Sequence, residues 1–91
     1  MKVKYDPDFL KRLKKLNVRV RNRFKKIIVL FAKDPNNSEL NNHPLKRDWE
    51  GYRSINITAD YRAVYKEVKI AEKIFANFVM LGTHDELYSK N

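Results

Sequence analysis

The chain has no cysteine among its 91 residues. Disulfide staples and thiolate catalysis are therefore excluded, and the composition fits a reducing cytosol. Glycine is nearly absent too, with only Gly51 and Gly82, so no glycine-rich loop exists to cradle a nucleotide's phosphates. No HxxxH, CxxC or HExxH spacing occurs, and neither a metal nor another cofactor is expected. No apolar run approaches the roughly 20 residues of a membrane span. The opening MKVKYDPDFL has no hydrophobic signal region. The expectation is a soluble, cytoplasmic protein with no membrane partner.

Acidic residues are scarce in one region only. Residues 1–33 hold 12 Lys/Arg against 2 Asp/Glu, a balance of +10, whereas residues 34–91 hold 8 against 9, a balance of −1. The whole excess behind the formal charge of +9 lies in the first third. Such a field suits a polyanion, with RNA the first candidate and an acidic protein equally well served. Apolar residues make up 43% and aromatics 12%, enough for one modest core, so residues 1–91 are expected to form one domain.

Val3 and Tyr5 alternate with lysines, which predicts a short strand over Lys2–Tyr5. Asp6-Pro7 then starts a helix, with Asp6 expected to cap the first turn and Pro7 at the first helical position. Phe9, Leu10, Leu13 and Leu16 form its apolar stripe. After Asn17 a second helix carries Val20, Phe24, Ile27, Ile28 and Phe31 at helical spacing and stops at Asp34-Pro35. The opposite faces of this hairpin carry Lys11, Arg12, Lys14, Lys15, Arg19, Arg21, Arg23, Lys25 and Lys26. Among these, Lys11, Lys14, Lys15, Arg21, Arg23 and Lys25 are the expected RNA contacts, joined by Lys46 and Arg53. Residues 36–50 read as a loop and connection with Trp49 as its anchor. Tyr52–Thr58 and Tyr61–Val68 read as a strand pair around Thr58-Ala59-Asp60, and Lys73–Leu81 as a long apolar strand. The order β-α-α-β-β-β predicts an α+β fold, a helical hairpin packed on one face of a small, mainly antiparallel sheet. The other face is left to be a site.

RNA can be cut without a metal when its own 2′-hydroxyl attacks the adjacent phosphate. The reaction needs a base for the hydroxyl proton, a cation on the phosphate and an acid for the leaving 5′-oxygen. Histidine suits proton transfer near neutral pH, and this chain's two histidines, His43 and His84, both sit at element edges. Asp60 can orient or assist a base. Either Arg62 or Arg53 can hold the phosphate. Tyr88 can stack on a base.

The segments His43-Pro-Leu-Lys-Arg-Asp-Trp-Glu-Gly-Tyr-Arg53, Asp60-Tyr-Arg-Ala-Val-Tyr65 and Leu81-Gly-Thr-His-Asp-Glu-Leu-Tyr88 resemble the RelE/ParE superfamily of type II toxin–antitoxin toxins, nearest the YafQ-like mRNA interferases. The likeness covers nearly the whole chain, including the element order. It implies an endoribonuclease acting on mRNA in the ribosomal A site. It also implies a cognate acidic antitoxin that blocks it, so that a monomer alone becomes a hetero-oligomer with its antitoxin. By position it assigns His43 and Asp60 to the active site, His84 to proton transfer, Tyr88 to orienting a base and Arg62 to the phosphate. One position departs from the pattern: YafQ-like toxins usually carry a further histidine in the strand after "GYR", where this chain has Asn56. Asn56 cannot carry a proton at neutral pH, which leaves the base to His43, Asp60 or the pair. The alternatives are a ParE-like toxin that inhibits DNA gyrase without cutting, and an RNA- or ribosome-binding relative without activity.

Overall fold

The apolar spacing of the first third is realised as two helices in the computed structural model, which describes residues 1–88. Strand β1 spans Lys2–Tyr5, helix α1 Pro7–Lys15 and helix α2 Val18–Lys33. Pro7 opens α1, but Asp6 does not cap it. The Asp6 carboxylate instead accepts from Asn77 Nδ2 at 3.1 Å, and its N–H donates to the Phe78 carbonyl at 2.9 Å. The residue ties the strand–helix junction to the sheet, which outcompetes the local cap. Asn17 does cap its helix, with Oδ1 accepting from Val20 N–H at 3.0 Å. Phe9, Val20, Phe24, Ile27 and Phe31 are buried, and Leu13, Leu16 and Ile28 pack partly against them. Leu10 departs from the expected stripe and is 40% exposed. It follows Phe9 by about 100° around the helix, which turns it out of the Phe9–Leu13–Leu16 face.

Strand β2 (His43–Pro44), strand β3 (Arg53–Asn56), strand β4 (Tyr61–Ile70), strand β5 (Lys73–Thr83) and helix α3 (His84–Tyr88) follow, with 3-10 turns at Ser38–Leu40 and Arg47–Trp49. The sheet order is β1-β5-β4-β3-β2. β1 runs parallel to β5, and the other three pairs are antiparallel. The expected α+β architecture and order hold for the main elements, with β2 and α3 added. β3 is shorter than the expected Tyr52–Thr58, and β4 and β5 are longer. Among the described residues no helix is long and apolar enough to cross a membrane.

Phe78 is the hub of the core. Its ring centroid lies 5.1 Å from Tyr65, 5.4 Å from Phe31, 5.7 Å from Phe9 and 6.0 Å from Tyr5. A bulge lets β5 serve this core along its length. Val64 pairs with Met80 and Tyr65 with Phe78, so Val79 is left without an opposite residue. The extra residue reverses the alternation of sides. Phe78 and Ala76 below the bulge and Leu81 above it therefore all turn to the helices, and all three are buried. Met80 and Gly82 are turned to the opposite face.

Candidate functional site

Directly paired residues point to the same side of a sheet. The register therefore fixes two rows on the face away from α1 and α2. One is His43, Ser54, Val64 and Met80, and the other is Asn56, Arg62 and Gly82. Helix α3 lies over these rows. Thr83 and Glu86 cap its start reciprocally: the Thr83 N–H donates to Glu86 Oε1 at 2.8 Å, and the Glu86 N–H donates to Thr83 Oγ1 at 3.1 Å. Gly82 leaves room for this cap: a Cβ there would meet Glu86 Oε1 at 2.9 Å and push the carboxylate aside. Two further bonds hold the end of α3. Trp49 Nε1 donates to the Leu87 carbonyl at 3.1 Å, and the Tyr88 hydroxyl donates to the buried Ser54 Oγ at 2.9 Å. Trp49 is thus the anchor that the sequence suggests.

Between α3 and the β2 loop opens a cleft of about 360 Å³, lined by Asn41, His43, Leu45, Arg62, His84 and Tyr88. Each chemical group in it is oriented by a specific partner. His43 Nδ1 lies 2.7 Å from the Asn41 carbonyl. A carbonyl only accepts, so Nδ1 carries the hydrogen and the neutral ring leaves the Nε2 lone pair bare. Asn41 supplies that carbonyl from a left-handed conformation, φ 47°, which asparagine tolerates well. Asn42 holds the loop in place. Its Nδ2 donates to the Pro35 carbonyl and the Tyr65 hydroxyl, at 2.9 and 2.8 Å, and its Oδ1 accepts from Arg53 Nε at 2.9 Å.

Arg62 Nη1 donates to the carbonyls of Thr58, Ala59 and Tyr61 at 3.0–3.2 Å. Nε and Nη2 make no hydrogen bond to any other described residue, so the guanidinium is fixed at one corner and open at the others. The His84 side chain is 62% exposed, with its ring centroid 4.7 Å from that of Tyr88 in an edge-to-face pair. Its Nδ1 lies 3.9 Å from Asp85 Oδ1, and its backbone N–H donates to the Asp60 carbonyl at 3.0 Å. Asn56 Oδ1 is buried with no hydrogen-bond partner among the described residues.

Four of the five expected catalytic residues therefore line one cleft. The fifth, Asp60, lines a hollow on the far side of His84. Arg53 pairs with Tyr65 on the helix side of the sheet and braces Asn42, apart from the cleft. Lys11, Lys14, Lys15, Lys25 and Lys46 are exposed. Arg21 and Arg23 are half-committed, donating to the Lys14 carbonyl at 3.5 Å and the Ile57 carbonyl at 3.2 Å. Sequence reasoning missed Ser54, Asn41 and Asn42, whose roles depend on folded partners. It also missed α3, although Thr83-x-x-Glu86 is the sequence form of a capping box. Among the described residues no group of three or more His, Asp or Glu side chains is spaced to hold a metal ion.

The model of the YafQ family, bacterial toxins of type II toxin–antitoxin systems, matches residues 1–89. The crystal structure of YafQ from E. coli strain BL21(DE3) superimposes with a TM-score of 0.74 at 26% identity, covering 96% of this chain and 97% of that one. The toxin of the E. coli DinJ–YafQ toxin–antitoxin complex matches with a TM-score of 0.72 at 26% identity, covering 96% of each chain. The archaeal RelE–RelB complex from Pyrococcus horikoshii OT3 shares the fold, with a TM-score of 0.69 at 16% identity over 90% of this chain and 92% of that one. No curated protein sequence matches.

Proposed function

The chain belongs to the YafQ family of type II toxins, and from that premise we propose that it is a ribosome-dependent endoribonuclease that cuts mRNA without a metal. Toxins of this family are generally endoribonucleolytic. One observation carries the reading for this chain: residues 43, 62 and 84, far apart in sequence, line a single cleft with Tyr88 beside them.

The division of labour follows from the partners of each group. His43 Nε2 takes the proton of the 2′-hydroxyl, because Nδ1 is occupied as a donor. The 2′-oxygen attacks phosphorus, the P–O5′ bond breaks, and a 2′,3′-cyclic phosphate remains on the upstream fragment. Arg62 presents its open nitrogens to the non-bridging oxygens, where charge builds in the transition state. Its fixed corner reduces the reorganisation this requires. His84, the more exposed imidazole, protonates the departing 5′-oxygen. Asp60 acts through its carbonyl, which holds the His84 backbone. Tyr88 stacks on a base next to the cut, a contact worth about 1–3 kcal/mol. Asn56 stands opposite Arg62 and moves no proton, so the base falls to His43.

The whole chain acts as one toxin domain in the cytoplasm. Its exposed lysines meet ribosomal RNA, and a cognate acidic antitoxin blocks it, as the DinJ–YafQ complex illustrates for the E. coli toxin. Primer extension on mRNA after induction in cells tests the reading. Discrete codon-aligned cuts are expected. Intact mRNA with double-strand DNA breaks would overturn it in favour of gyrase inhibition.

A further inference from the structure

A second hollow is larger than the cleft. A groove of about 690 Å³ runs between helix α2 and the β3–β4 turn. Its two walls differ in chemistry. Arg19, Arg23 and Lys26, at i, i+4 and i+7, form a cationic wall on α2. The facing wall carries Asp60 and Tyr61. Arg23 is braced, with Nε on the Ile57 carbonyl at 3.2 Å and Nη2 3.7 Å from Glu39 Oε2. Arg19 and Lys26 flank it by one turn on each side, with no hydrogen bond or ion pair to another described residue.

The groove also lies close to the cleft. Ala59, Asp60 and Tyr61 form its border with a smaller hollow of about 370 Å³, which reaches His84, and His84 in turn lines the cleft. Asp60, whose carbonyl holds the backbone of the proposed acid, thus also borders the groove with its row of cations.

We propose that this groove binds the single-stranded RNA on one side of the cut, with backbone phosphates against Arg19, Arg23 and Lys26 and a base against Tyr61. The proposal rests on the ribonuclease reading and extends it to the flanking strand. The asymmetry of the walls selects RNA over an acidic peptide. A nucleotide strand carries its charge along one edge and its bases, with their amino donors, along the other. An acidic peptide bound as an extended strand sends successive carboxylates to alternating sides and would set some of them against Asp60. The volume also lies within the roughly 300–1,000 Å³ range of small-molecule sites, room for a short stretch of strand and not for a duplex.

The test uses the purified protein and 2′-fluoro RNA oligonucleotides, which lack the attacking hydroxyl and cannot be cut. A trinucleotide is compared with strands extended at the 5′ end or the 3′ end, by fluorescence anisotropy over a range of salt. Extension at one end only should strengthen binding. The double charge reversal Arg19→Glu with Lys26→Glu should erase that gain, lowering affinity for the extended strand at least roughly tenfold at low salt and the salt slope by about 1.4 for two lost phosphate contacts. Trinucleotide binding and the melting temperature should change little. Equal affinity of the variant and the parent for the extended strand would overturn the proposal. So would a glutamate-rich peptide that binds with the same dependence on Arg19 and Lys26 while RNA length has no effect. A failure to cut mRNA would bear on the ribonuclease reading alone, because binding is read here on a strand that cannot be cut.

Discussion

The two faces of the same sheet solve opposite problems with alternate residues of the same strands. On β4, Ala63 and Tyr65 face the helices and are buried, while Arg62, the residue before Ala63, reaches the cleft. The helix face is built from interlocked rings around Phe78, and its cohesion comes from apolar area and close packing. The cleft face is built from oriented polar groups: His43 and Arg62 are held by backbone carbonyls, Tyr88 by Ser54 and the His84 ring by its contact with Tyr88. Stability should therefore be concentrated on one face and chemistry on the other.

Paired substitutions test that division at its extremes. His84→Ala is expected to lower single-turnover cleavage of ribosome-bound mRNA by about 10²- to 10⁴-fold, the usual worth of a general acid. Its melting temperature should hardly move, since the side chain is mostly exposed. His84→Gln keeps a hydrogen bond and loses the proton, and it should fail nearly as badly. Phe78→Ala should do the reverse in kind, costing about 3–5 kcal/mol in chemical denaturation, a large part of the roughly 5–15 kcal/mol typical of a domain. A His84→Ala protein that cuts at the parental rate would move the burden of catalysis to His43.

Asn42 is where the two faces are joined. It bonds to Tyr65 on the core side and sits next to His43 on the other. Asn42→Ala removes three hydrogen bonds and leaves the Tyr65 hydroxyl and Arg53 without their partner. Denaturation should report a loss of about 1–3 kcal/mol. Cleavage should slow mainly in kcat, because the loop that carries the proposed base is loosened while the phosphate and base contacts remain. An unchanged kcat with a lowered stability would separate the faces more sharply than the structure implies.

The same division explains how much could be read before folding. The helix face was legible because its signal is periodic: Val20, Phe24, Ile27 and Phe31 give α2 its buried stripe without knowledge of any partner. The parallel pairing of β1 with β5 was not, since it joins residues about seventy positions apart. Nor was the bulge at Val79, because an apolar run such as Phe78-Val-Met-Leu81 does not declare where its alternation reverses. On the cleft face the expected grouping placed four of its five residues in one cleft and misplaced the fifth. Asp60 reads as a partner for His43 in sequence, yet the β3–β4 turn carries it to the other side of His84. The short strand His43–Pro44 escaped notice because two residues, one of them proline, give no alternation. The helix after β5 was legible in principle, from the spacing of Thr83 and Glu86.

The smallest predicted effect compares the two ends of the β4–β5 hairpin. At the cleft end Arg62 stands opposite Gly82. At the far end Ile70 pairs with Lys73, and the two turn residues Ala71 and Glu72 both have positive φ, 50° and 68°. This is the backbone of a tight type I′ turn, which favours Asn-Gly. An L-residue other than Gly, Asn or Asp held there costs roughly 1–2 kcal/mol. The double substitution Ala71→Asn with Glu72→Gly should relieve much of that strain. It gives up the exposed Lys69–Glu72 pair at 3.9 Å, which contributes little, and glycine adds some unfolded-state entropy. A net gain of about 1 kcal/mol is expected, raising the melting temperature by about 4–8 °C for a chain of this size. Cleavage should be unchanged, because eight residues of extended strand separate the turn from Arg62, a distance of roughly 26 Å. A variant that melts higher and cuts as before would identify the turn as strain that the cleft does not use. A variant that melts higher and cuts more slowly would mean that the stiffness of the whole hairpin, and not of its cleft end alone, sets the position of Arg62.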